Sequence, residues 1–90
     1  MVKMDRQEVI NIFAQEIAKT QKKADKFYYE QNNKDMSSYC EDHALVIKNL
    51  AIKLGICEEV YQEAYKIYDF RNSGKKGYTL KNGKIVKIEG

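Results

Sequence analysis

Ninety residues, 43% hydrophobic and 32% charged, make a single domain over 1–90, too short for two cores and too apolar and aromatic for a disordered chain. No run nears the ~18 apolar residues of a membrane span, the opening MVKMDRQEVINIF lacks the apolar stretch of a signal peptide, and Cys40 and Cys57 are expected as free thiols of a soluble cytoplasmic protein. The net charge of +3 is unevenly spread: residues 1–34 carry seven basic and five acidic side chains, 35–70 three and seven, and 71–90 six and one, so the middle is acidic and the tail basic.

A first helix is expected over about 5–32, opened by a capping-box-like pairing of Asp5 with Glu8. Ile10, Phe13, Ile17, Thr20, Ala24 and Phe27 recur at steps of three and four, which gathers them on one inward stripe. Lys19, Lys22, Lys23 and Lys26 fall on the opposite arc, either as a solvated outer face or as a basic strip that touches phosphates, with Lys19 and Lys23 as the candidate contacts.

The second helix is expected over 38–54, from the Ser38–Glu41 pattern to Gly55 as the left-handed cap residue. His43, Val46, Ile47, Leu50, Ala51 and Leu54 make a broad apolar arc, with Leu45 and Ile52 on the other side. Such a helix is expected to be wedged between helices one and three, with an exposed contact stripe as the alternative. Helix three is expected over 58–71, with Val60, Tyr61, Ala64, Ile67 and Tyr68 inward and Glu58, Glu59, Gln62, Glu63, Lys66 and Asp69 outward. After RNSGKKG the period changes. YTLKNGKIVKI reads as a β-hairpin over 77–88 turning at Asn82-Gly83, with Leu80 opposite Ile85 and Tyr78 opposite Lys87. The fold class is therefore mainly α (α+β): three helices and a C-terminal two-stranded antiparallel hairpin that either rests its Leu80 face on the helices or pairs its edge with another chain.

LAIKLGICEEVYQEAYKIY, residues 50–68, resembles a helix-turn-helix in the spacing of Leu50, Ala51, Leu54 and Gly55, and the hairpin stands where a winged helix keeps its wing. That resemblance implies a DNA-binding regulator. The same run is similar to part of a cyclin-like repeat of the archaeal transcription factor B type, but that repeat would continue into further helices where this chain forms a hairpin. The first turns of the would-be recognition helix offer Cys57, Glu58, Glu59, Tyr61, Gln62 and Glu63, and carboxylates there oppose the phosphate charge that carries most DNA affinity.

Enzyme chemistries lack parts. Cys40 and His43 share a helical face at a spacing that lets a thiolate meet an imidazole, but both lie on the face expected as core. With Cys57 they lack a fourth ligand and the paired spacing of zinc sites. GKKG lacks the strand-to-helix context of a phosphate loop, and Glu58 and Glu59 diverge by about 100°. No catalysis, cofactor or metal is expected.

The surface is left to carry function. Seven tyrosines exceed what a small core buries and suit a protein interface, the alternative being rings that pad the core edges with their hydroxyls in water. The expectation is a small regulatory protein binding another protein through an acidic face of Glu58, Glu59, Tyr61, Glu63, Tyr65 and Asp69, with a basic nucleic-acid-binding protein as the fitting partner. A composition rich in Lys, Ile, Asn and Tyr fits a phage or mobile-element inhibitor of a host nucleic-acid-handling complex such as a CRISPR effector, at work in the host cytoplasm. The alternative is a winged-helix regulator contacting nucleic acid through Lys75, Lys76, Lys81, Lys84 and Lys87, with Lys19 and Lys23. A homo-oligomer is compatible with either.

Overall fold

The computed structural model describes residues 4–89; the ends of the domain expected over 1–90, residues 1–3 and 90, lie outside the described residues. Three helices are followed by a two-stranded antiparallel sheet: α1 (Arg6–Asp25), continued by one π-helical turn (Lys26–Glu30), α2 (Lys34–Lys53), α3 (Cys57–Ile67), β1 (Tyr78–Lys81) and β2 (Lys84–Lys87). The expected fold class holds. Among the described residues no helix is long and apolar enough to cross a membrane.

Asp5 caps α1, its Oδ1 accepting from the Glu8 amide at 2.8 Å. The expected inward stripe is buried or half-buried throughout, and Ala14 and Ala18 widen it. The widening has a structural cause: α1 packs extensively against both α2 and α3, whereas those two touch each other little. Alanines on all three helices, Ala14, Ala18, Ala44, Ala51 and Ala64, let the backbones approach closely, and Ile17 and Val60 are the largest fully buried side chains.

Helix two departs from expectation in two ways. It begins at Lys34, because Asn33 Oδ1 accepts from the Met36 amide at 3.1 Å and provides the cap expected from Ser38. It is also not the wedged helix. The side it turns to α1 carries Ser37, Cys40, Ala44 and Ala51, roughly 70–80° around the helix from the centre of the expected arc. Of that arc only Ala51 is buried and Ile47 half-buried; Val46, Leu50 and Leu54 stay 58%, 49% and 57% exposed, and His43 is exposed with them. Small side chains make the closer helix–helix contact, and the larger ones are left outside. Gly55 ends the helix in the left-handed region (φ 72°), as expected.

Helix three stops four residues short of its expected end. Tyr68 is extended (ψ 114°), and the Asp69 carboxylate accepts from the Arg71 amide at 3.1 Å in an Asx turn. Ile67, expected inward, is 57% exposed, because the chain leaves the helix there so that Tyr68 can enter the core. The hairpin keeps its expected register, Tyr78 to Lys87 and Leu80 to Ile85, and turns through Asn82 (φ 53°) and Gly83 (φ 74°). Leu80 and Ile85 pack against the helical core.

One buried polar cluster holds the 68–77 connection. Asp25, 3% exposed, accepts at Oδ2 from the Tyr68 hydroxyl at 2.5 Å and the Ser73 hydroxyl at 2.6 Å. The π-helical turn shifts the phase of the side chains after Asp25, and Tyr29 accepts from the Gly74 amide at 2.7 Å. Burial raises the Asp25 pKa, against the lowering effect of the bonds from Ser73 and Tyr68. A carboxyl whose pKa rises on folding stabilises the fold most when protonated. That contribution is complete below its unfolded value of 3.8 and is lost as pH rises through its higher folded value. Relative to wild type, Asp25→Asn should therefore gain stability as pH rises from about 4 through that window, read by denaturant titration at each pH. Asp25→Ala, which leaves two hydroxyls without their acceptor, should cost about 2 kcal/mol or more in the same measurement.

Candidate protein-binding surface

Helix three has no side-chain cap, and Glu58 and Glu59 in its first turn complement the positive end of the helix dipole instead. Val60 and Ala64 anchor it in the core, which leaves Tyr61 and Tyr65, one turn apart, on the flank as half-buried rings. The Asx turn then folds Phe70 back onto both. The Phe70 ring centroid lies 5.8 Å from that of Tyr61 and 4.8 Å from that of Tyr65, and the two tyrosines are 5.9 Å apart. Cations flank the cluster: Lys48 Nζ stands 5.9 Å from the Tyr61 centroid, and the Arg71 guanidinium 5.3 Å from that of Tyr65.

The carboxylates expected to make this face acidic are mostly balanced. Arg71 forks onto Asp69 through Nη2 at 2.6 Å and Nε at 2.9 Å, which holds the Asp69 carboxyl below its ordinary value. Arg6 reaches Glu59 at 2.8 Å, and Lys66 pairs with Glu63 at 3.0 Å. Three cations therefore sit among the four carboxylates of the expected face, and only Glu58 lacks an ion pair among the described residues. Tyr61, Tyr65 and Asp69 come together at one end of the helix, while Glu58 and Glu59 mark the other. Phe70, Arg71, Lys48 and Arg6 join the face beyond the residues expected there. The first two could have been found, since Asp-x-Arg after a helix end is a turn signal with its own ion pair.

The expected basic residues divide into two groups. Lys75, Lys76, Lys81, Lys84 and Lys87 are all exposed on the tail, with Lys81 directly opposite Lys84. Lys22, expected in one strip with Lys19 and Lys23, joins the tail lysines instead: its Nζ lies 3.7 Å from where a Cβ on Gly83 would stand. Lys22, Lys66 and Lys84 surround a cleft of about 500 Å³ between the end of α3 and the hairpin tip. Lys19 and Lys23 instead line a smaller groove of about 300 Å³ between α1 and α2, with Tyr39, Cys40 and His43. Cys40 is buried there and His43 exposed, so the expectation that both belong to the core holds for the thiol alone. Both cysteines are free. Among the described residues no group of three or more His, Cys, Asp or Glu is arranged to hold a metal ion.

Like charges facing each other across the hairpin give a direct check of its register. Lys84→Glu should stabilise the protein by a few tenths of a kcal/mol, up to about 1, read as a rise in thermal midpoint that shrinks as salt is added. No protein-family model, curated protein or solved structure significantly matches the chain, so its function has to be reasoned from these surfaces.

Proposed function

We propose that the protein is a non-enzymatic binding protein that acts by protein–protein contact through α3 and the turn after it. The observation that carries this reading is the surface cluster of Tyr61, Tyr65 and Phe70, rimmed by Lys48, Arg71 and Asp69. Aromatic rings with arginine at the edge are the composition of interface hot spots, because they offer large apolar area at small entropic cost. The rings also brace one another, so little ordering remains to be done on binding.

The partner that fits best is a protein with a basic surface. Exposed ion pairs contribute only about 0–1 kcal/mol each, so Glu59, Glu63 and Asp69 can exchange Arg6, Lys66 and Arg71 for a partner's cations at little cost. The finer proposal is an inhibitor, of the kind phages and mobile elements encode, that occupies the basic surface of a nucleic-acid-handling host complex in the host cytoplasm. Balanced pairs make this less a mimic of phosphate charge than an aromatic contact with an exchangeable ionic rim. The second reading, a winged-helix nucleic-acid binder, draws on the exposed tail lysines and on Lys22, Lys66 and Lys84 around the hairpin tip. It asks α3 to approach a polyanion with Glu58 and Glu59 leading, which is unfavourable.

The two readings separate in paired measurements on the purified protein. Tyr65→Ala is expected to weaken a captured partner complex by roughly 30-fold or more, and Glu59→Lys with Glu63→Lys to weaken it further, while Lys81→Glu with Lys84→Glu leaves it intact. If instead the protein binds generic duplex DNA or RNA with an affinity that falls steeply with salt, and the lysine pair abolishes that binding, the nucleic-acid reading replaces this one.

A further inference from the structure

α2 keeps one row of large side chains exposed along its length. Tyr39, His43, Val46 and Leu50 follow one another at steps of four, three and four residues, with Leu54 a turn further on. All five are exposed, Tyr39 by 71%. Exposed apolar side chains are ordinary when scattered, but these make a continuous stripe at the spacing of a helix–helix seam. Ile12 on α1, 46% exposed, is followed at the same spacing by Glu16, Lys19 and Lys23; the last three line the α1–α2 groove with Tyr39 and His43.

We propose that this face is covered by a second copy of the chain, with α2 packed antiparallel against the partner's α2 about a two-fold axis near residues 43–46.

Charge selects a second copy as the occupant. The outer edge of the stripe is acidic towards the start of α2, at Asp35 and Asp42, and basic at its end, at Lys53. The neighbouring row on α1 carries Glu16 and then Lys19 and Lys23. Each row is therefore a charge dipole along its helix. A two-fold axis crossing the helices lays each row over its own reverse, so Asp35 approaches the partner's Lys53, and Glu16 approaches Lys19 or Lys23 of the partner subunit. A parallel arrangement would set like against like. Turning the copies so that α2 lay on the partner's α1 would also match charges, but it would press Val46 and Leu50 against a row of ions. Apolar burial therefore favours α2 on α2.

With Ile12, the stripe is six exposed side chains, a small contact beside specific interfaces, which begin at about 1,200 Å² in total. That size fits a dimer in exchange with monomer. Such a dimer keeps α2 between the two copies and leaves each Tyr61–Tyr65–Phe70 cluster free, so the inference does not rest on the function proposed above.

Sedimentation equilibrium over a wide concentration range tests it. Wild type should approach twice its 10.5 kDa chain mass as concentration rises. Val46→Glu with Leu50→Glu should hold the protein at the monomer mass with an unchanged helical circular dichroism spectrum, since both side chains are exposed in the single copy. Lys53→Glu alone should weaken association roughly 3- to 10-fold, and adding Asp35→Lys and Asp42→Lys should restore it. A wild-type monomer at every concentration would overturn the proposal and assign the stripe to a different protein. So would a dimer indifferent to the two glutamates, which would place the contact elsewhere. Failure of the triple charge reversal to restore association would overturn the antiparallel arrangement.

Discussion

The Asp25 carboxylate is the constraint on which the C-terminal half depends. It sits where α1 passes into its π-helical turn, and a single oxygen receives hydroxyls from Tyr68, just beyond α3, and Ser73, in the connection to the hairpin. A buried carboxylate is costly unless its hydrogen bonds are met, and here no described buried side-chain polar atom is left without a partner. Meeting that requirement fixes three things together: α3 must end at Ile67, Tyr68 must run extended, and the loop must return across the end of α1. Tyr29 adds a second tie at Gly74. The hairpin, too small to be stable alone, inherits its position from these bonds and from Leu80 and Ile85 on the core.

The aromatic surface follows from the same geometry. Because Tyr68 is drawn inward, Asp69 is exposed and binds Arg71, and the turn between them throws Phe70 back onto Tyr61 and Tyr65. A helix continuing to residue 71 would have spread these side chains along its length. The candidate binding surface is thus a by-product of how the buried acid is satisfied, and its ionic rim is made of local pairs that water and salt keep weak.

A different principle shaped the open side of the molecule. α1 is the shared helix, and it takes α2 at the small residues Cys40, Ala44 and Ala51, where the helix axes can come close. The larger apolar residues of α2 are thereby turned out. In a chain of this size, where one core supplies little margin, assembly with another molecule is a natural way to cover them.

The sequence by itself determined what local chemistry controls: the Asp5 cap, the inward stripe of α1, the Gly55 stop, and the Asn82-Gly83 turn with its full hairpin register. Each depends on bonds or periodicities spanning a few residues, so the residues concerned carry the whole signal. The tyrosines and carboxylates of α3 were legible as a surface, but their grouping was not. Only the tertiary structure decided which helix is central, which face of α2 is covered, where α3 ends, and that Arg6, Lys48, Phe70 and Arg71 complete the aromatic face. Hydrophobicity marks a residue as able to be buried, yet the side of α2 that meets α1 is neither its broad apolar arc nor the Leu45–Ile52 side but the small-residue side between them, where two helices approach most closely. Asp25 reads in the sequence as one more surface acid of a charged helix. Its partners stand 43 and 48 residues away, and only the folded chain brings them within reach.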